Sequence, residues 1–232
     1  MVPLSRHRRN VMPGLFISFE GGEGSGKSTQ VGLLAESLRA QGYPLTVTRE
    51  PGGTPLGHVL RHLLLEQKTS PLAAGTEVLL LLADRAQHIQ EVIAPGLAAN
   101  HIVICDRYID STTAYQGYGR GIDHELLQTL NQFVCKAYLP TLTFLLDLPV
   151  EKGLRRAAQR RSSEEGADHF EAESVTFHER VRAGFLQLAQ ECPQRIHVID
   201  TTRSKEVVRQ EIFHIVSSRL PPKEKPASSK EN

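Results

Sequence analysis

Gly21-Gly22-Glu23-Gly24-Ser25-Gly26-Lys27-Ser28 fits the spacing G-x-x-x-x-G-K-[ST]. Glycines in such a loop let successive backbone N–H groups turn inward around phosphate oxygens. A short apolar run at residues 15–19 precedes the loop and a helical pattern at 29–41 follows it. The loop would therefore open onto a helix N-terminus, whose dipole favours an anion. This chemistry is the holding of a nucleoside triphosphate by the loop and Thr29, with Lys27 spanning the β- and γ-phosphates and the Ser28 hydroxyl on Mg²⁺.

Two other clusters could serve the same centre. Asp106-Arg107-Tyr108 closes the apolar run 102–105. An aspartate there can hold the Mg²⁺ shell opposite Ser28, and the adjacent arginine can reach phosphoryl oxygens between donor and acceptor. Thr48-Arg49-Glu50-Pro51-Gly52-Gly53-Thr54 forms a turn rich in proline and glycine, which brings backbone close to a ligand and hands Arg49 to an acceptor phosphate. Arg61 lies two turns after Thr54 on the same helix face, as a second clamp or as a solvated arginine.

Positioning these residues requires a sheet whose strand ends converge. Runs 15–19, 45–48, 102–105, 142–146 and 196–199 alternate with helical patterns, and two of them are apolar without alternation, as in strands buried on both faces. The expectation is an α/β fold with a five-stranded parallel sheet covered by helices on both faces, its ligands beyond the carboxyl ends of the strands. Helices are expected at 56–66, capped by Thr54 with Pro55 first, at 76–93, stopped by Pro95-Gly96, and at 171–190.

The bulk properties bound the remaining function classes. A chain of 232 residues with 40% hydrophobic and 23% charged residues suits one larger globular domain. The net charge of +1 gives no whole-molecule footprint for nucleic acid, and the longest apolar stretch, 78–83, is too short for a membrane span. Cys105, Cys135 and Cys192 show no paired spacing, which agrees with a reducing cytoplasm. Residues 1–12 read as a flexible basic arm, with Met12 an alternative start, 13–220 as a single domain and 221–232 as a disordered tail.

The glycine-rich loop, Thr48-Arg49-Glu50-Pro51-Gly52-Gly53-Thr54, Asp106-Arg107-Tyr108 and Ser111-Thr112-Thr113-Ala114-Tyr115-Gln116-Gly117 follow one another in an order that resembles thymidylate kinases of the bacterial type, from about residue 14 to 220. The resemblance implies a nucleoside-monophosphate kinase fold with a mobile lid, at about 152–171, and a homodimer that uses ATP and Mg²⁺ to phosphorylate dTMP. Alternatives are another P-loop nucleoside-monophosphate or nucleoside kinase, or a P-loop switch protein, whose N-K-x-D motif the chain lacks.

By position, Arg85 resembles the arginine that meets the thymine carbonyl, with Thr112 and Gln116 near the other polar edge of the base. Glu23 resembles the acid that meets the sugar 3′-hydroxyl, and Pro51 and Tyr115 fall among the acceptor-binding positions. Two positions depart from the family pattern. Leu81 stands where many relatives carry a phenylalanine that stacks on thymine, and Asp168-His169-Phe170-Glu171 has histidine in place of a lid arginine. The positive charge at the transition state is then expected from Arg156, Arg160 and Arg161, which with Arg155 precede the loop 162–167.

Overall fold

The structure, a computed structural model, describes residues 14–65, 72–135, 137–161, 170–171 and 173–220, with backbone alone at 160 and 161. The expected arm, tail and lid loop, including His169 and the side chains of Arg160 and Arg161, lie outside the described residues. All five expected strands form: β1 (Phe16–Glu20), β2 (Leu45–Arg49), β3 (Ile102–Asp106), β4 (Leu142–Asp147) and β5 (Ile196–Asp200). They make one parallel sheet in the order β2-β3-β1-β4-β5, which puts β1 and its loop in the middle.

Every strand runs one residue beyond its apolar run, to Glu20, Arg49, Asp106, Asp147 or Asp200. Hydropathy stops where the core stops, but backbone pairing continues to the rim, where Phe19 and Arg49 both register with Asp106. The carboxyl edge is therefore a row of charged side chains, where such a sheet binds ligands.

Alternation along β1 assigns the two faces. Ile17 and Phe19 pack with Ile104, Phe144 and Leu146 beneath α1 (Lys27–Ala40) and α9 (Lys205–Ser217). Phe16 lies on the opposite face with Val103, Cys105 and Tyr108. That face is covered by α3 (Ala74–His88) and its continuation, and by α8 (Val175–Glu191), whose Phe177, Val181 and Phe185 pack on Leu145 and Ile196. Beyond β2, α2 (Pro55–Leu65) begins as expected, with Gly57 N–H donating to Thr54 Oγ1 at 2.9 Å.

The helix after α3 corrects the expectation of a stop at Pro95. Residues Ile89–Ile93 form a π turn and α4 (Ala94–Ala98) carries the helix on. Pro95 falls in the first turn of α4, where its missing N–H costs no hydrogen bond. Thr112 ends the short α5 (Ile109–Thr112), and Gln116 lies in a π-helical segment, Thr113–Gly119. Then come α6 (His124–Cys135) and, after β4, α7 (Val150–Arg161). Among the described residues no helix is long and apolar enough to cross a membrane.

Candidate active site

The loop between β1 and α1 depends on two glycines. Gly26 caps α1 at φ 94°, a left-handed conformation that side-chain-bearing residues rarely adopt. Gly24 meets α7 backbone to backbone, since a Cβ there would stand 2.1 Å from the Gly153 carbonyl oxygen and 3.1 Å from Cβ of Arg156. The loop and the first turns of α7 thus touch directly, which brings Arg156 over the loop. Its guanidinium makes long contacts, 3.5 Å, to the Thr201 carbonyl.

Lys27 is 8% exposed and donates to the carbonyls of Gly21 at 3.1 Å and Gly22 at 2.8 Å, and to Ser25 Oγ at 3.3 Å. Burial and then Arg107 lower its pKa to about 8. A nearby anion would reverse that penalty. Ser28 Oγ donates to Asp106 Oδ2 at 2.6 Å, joining the start of α1 to the end of β3. This hydroxyl and carboxylate are hard oxygen donors, and no group of three or more His, Cys, Asp or Glu among the described residues forms a protein cage for a metal. Such a sparse donor set fits Mg²⁺, which keeps waters and phosphate oxygens in its shell.

Arg107 crosses the same space. Its φ of 67° is left-handed, a strain of about 1–2 kcal/mol for a residue with a Cβ. The guanidinium donates to the Gly21 carbonyl at 3.0 Å, Ser111 Oγ at 3.2 Å and Glu23 Oε1 at 2.7 Å, and lies 5.0 Å over the Tyr115 ring. Tyr115 O–H donates to the same Glu23 oxygen at 2.6 Å. Burial alone would raise the Glu23 carboxyl, but Arg107, Lys27 and the tyrosine hydroxyl outweigh it and hold the pKa at about 2. A small open hollow, lined in part by Gly22, Glu23, Leu154, His178 and Arg182, adjoins this group.

The turn after β2 carries the remaining arginines. A Cβ on Gly52 would meet Arg61 Cδ at 3.0 Å and Arg49 Nε at 3.7 Å, so both side chains flank that glycine. Arg61 also donates to the Pro51 carbonyl at 3.1 Å, and Arg49 is exposed.

Behind the turn lies a buried polar cluster. Glu50 accepts from Arg85 Nε at 2.8 Å and pairs with His88 Nδ1 at 2.8 Å. Arg85 is 2% exposed and donates further to Asn131 Oδ1, Thr112 Oγ1 and the Tyr108 carbonyl. Burial would weaken its charge, but Glu50 keeps its pKa above the usual arginine range. Asp84 accepts the Gly52 N–H at 3.2 Å, and burial followed by Glu50 raises it to about 6. Gln116 donates weakly to Glu77 at 3.3 Å, while its buried Oε1 finds no hydrogen-bond partner among the described residues. Leu81 is half-buried against the cluster that contains Tyr115 and Phe177.

The structure therefore brings Lys27, Ser28, Asp106, Arg107, Glu23 and Tyr115 together at the loop. It gathers Arg85, Thr112, Gln116 and Leu81 around α3, with Arg49, Pro51 and Arg61 at the turn between. Sequence reasoning missed Glu20, His88 and Asn131 and gave Glu50 no role. Glu20 did carry a signal, an acid ending an apolar strand directly before the loop.

Comparison with known proteins gives the family. A family model described as thymidylate kinase matches residues 19–212. The thymidylate kinase of Trichlorobacter lovleyi is 49% identical over 208 residues, covering 89% of this chain and 98% of the relative. That of Solidesulfovibrio magneticus is 50% identical over 209 residues, covering 89% of this chain and all of the relative. A crystal structure of thymidylate kinase from Ehrlichia chaffeensis superposes with a TM-score of 0.71 at 37% identity, covering 88% of this chain and 100% of that one. Matched by that family model over residues 19–212 and about half identical to such kinases over nearly its whole length, the chain belongs to the thymidylate kinase family.

Proposed function

We propose that this chain transfers the γ-phosphoryl group of ATP to the phosphate of dTMP, with Mg²⁺ bound by Ser28 and Asp106. The observation that carries the reading is the meeting of Ser28 and Asp106 at the mouth of the loop, beside an Arg107 guanidinium that spans Gly21 and Glu23. Phosphoryl transfer needs little covalent chemistry from the protein, so the work is alignment and charge neutralisation. The loop amides and Lys27 hold the triphosphate. Arg107 lies where donor and acceptor phosphates meet, and Arg49 and Arg61 take the acceptor phosphate from the turn. Bound Mg²⁺ supplies further neutralisation of the phosphate oxygens.

Glu23, held ionised, takes the sugar hydroxyl. Arg85, Thr112 and Gln116 read the polar edge of thymine, whose face rests on Leu81. A lid at about 152–171 supplies Arg156, Arg160 and Arg161 to the transition state and excludes water. The contact of Gly24 with Gly153 supports this, because it ties the root of that segment to the loop.

The finer context belongs to the same proposal. A cytoplasmic site of action agrees with three free cysteines, two of them buried. A homodimer would cover Leu126 and the 76% exposed Phe133, seven residues apart on one face of α6, together with Leu79 of the adjoining α3. Light scattering that reports a monomer at micromolar concentration removes the dimer.

The acceptor decides the function. A coupled assay of ATP consumption with dTMP, dUMP, UMP, CMP, AMP and GMP is expected to show the highest kcat/KM for dTMP. Preference for any other acceptor overturns the reading.

A further inference from the structure

We infer that Glu20 is a positioning residue for phosphoryl transfer: its carboxylate fixes Tyr108 and Ser111 and thereby holds the Arg107 guanidinium across the mouth of the loop. The inference rests on the proposed role of Arg107.

Glu20 ends β1 and is fully buried, and its side-chain oxygens are taken up by Tyr108 and Ser111. One carboxylate oxygen accepts the Tyr108 N–H at 2.8 Å and the other accepts the Ser111 hydroxyl at 2.5 Å. Those two donors bracket the turn into α5, immediately after the left-handed residue Arg107. Tyr108 stands at the N-cap of α5 with no side-chain cap of its own, and Glu20 satisfies its N–H from another element. Ser111 passes the constraint on: its oxygen accepts from Arg107 Nη1 while its proton goes to Glu20. The backbone of Arg107 is held to the same strand, its N–H donating to the Phe19 carbonyl at 2.9 Å.

Burying an acid here is costly, and the surroundings add to the cost. Asp110 sits close enough to repel it, although Asp110 is itself paired with Arg195 at 2.6 and 2.8 Å. A neutral amide or apolar group would be the cheaper core residue at this position. What a carboxylate supplies is two acceptors, both aimed at the residues that flank Arg107. A glutamine keeps one acceptor oxygen for the Tyr108 N–H, but its amide reaches Ser111 only as a donor, so the Ser111 hydrogen bond is reversed and the negative charge beside Arg107 is gone.

The test compares Glu20→Gln, Ser111→Ala and Arg107→Ala in steady-state kinetics, with far-UV circular dichroism on each variant. Glu20→Gln is expected to lower kcat about tenfold while KM for ATP changes less than twofold, because the loop amides and Lys27 remain. Ser111→Ala alters a half-buried position and tests the same chain without an acid in the core; it is expected to lower kcat several-fold. The double variant is expected to be no worse than the poorer single one, since both break one chain of contacts. Wild-type kcat in either single variant, or a KM for ATP that rises in step with the fall in kcat, overturns the inference. If Arg107→Ala itself retains wild-type kcat, the active-site reading fails; if it is crippled and Glu20→Gln is not, only the role of Glu20 falls.

Discussion

The two halves of the candidate site hold their charges in opposite ways. Around the loop the cations lean at least partly on backbone carbonyls: Lys27 on Gly21 and Gly22, Arg107 on Gly21 as well as on Glu23, Arg156 loosely on Thr201, with Arg49 exposed at its strand end. Around α3 the guanidinium of Arg85 is enclosed by Glu50, Asn131, Thr112 and Tyr108. The difference follows from what each half must meet. Phosphates carry their own charge and can draw a cation off a carbonyl, whereas a neutral base is best read by groups already fixed before it arrives. Variants at the loop should therefore cost rate, and variants around α3 should cost stability.

The loop offers the largest effect. Lys27→Ala should lower kcat about a thousandfold, the loss typical for removal of a preorganised charge at developing negative charge. Its unfolding midpoint should not fall, because the buried ammonium is already held down to about 8. The coupled assay and a thermal melt read the two quantities, and a melt lowered by several degrees would erase the contrast between the halves. Glu50→Ala should act in the other sense. It leaves the buried Arg85 charge without its carboxylate, so urea denaturation should show a loss of about 3–5 kcal/mol. A loss under about 1 kcal/mol would mean that the cluster is not the rigid half.

The same division governs what could be read from the sequence. The loop half was legible because its residues are neighbours in the chain: one octapeptide fixes the loop, and Asp106-Arg107 sits where a buried strand must end. The strands were legible to within a residue because apolar runs mark them. Each was short by one residue at the carboxyl end, since Glu20, Arg49, Asp106, Asp147 and Asp200 pair through backbone while their side chains break the hydropathy pattern. The α3 half was not legible in its wiring, because Glu50, Arg85, Thr112 and Asn131 come from four elements and meet only after folding. Helices α6 and α9 also escaped, as did the continuation of the helix into α4. α6 has its signal in Asp123, whose Oδ1 accepts from Leu126 N–H, and α9 in Ser204, whose Oγ accepts from Val207 N–H. The lid arginines 160 and 161 were read from charge and resemblance, and their side chains lie outside the described residues.

Glu20 sharpens the comparison, because it is a buried acid that serves the loop half. Burial, then Asp110, raises its pKa from 4.5 to about 7. A raised folded-state pKa gives stability that is full below the unfolded value and is lost as pH rises through the folded one. The wild-type chain should thus lose stability between about pH 4.5 and 7 from this group, and Glu20→Gln should not. Urea titrations at pH 5 and pH 8 should show the variant gaining on the order of 2 kcal/mol relative to wild type across that interval. A relative loss at pH 8 would place Glu20 with the stabilising acids of the α3 cluster instead.

The smallest effect tests where the base lies. Leu81 sits on α3 one turn before Arg85, half-buried against the cluster that holds Tyr115 and Phe177, which puts it on the helix face of the proposed base-reading arginine. An aliphatic side chain covers the face of a ring but lacks the aromatic pairing contribution of about 0.5–1.5 kcal/mol. Leu81→Phe should lower KM for dTMP about threefold, within the range of roughly 2- to 10-fold that such an energy allows. kcat should hardly change, since a face contact is equal in ground and transition states. KM for ATP should stay constant, because the loop is untouched. If KM for dTMP is unmoved while the variant folds normally, the base does not rest on this turn of α3, and the rigid half has another use than reading it.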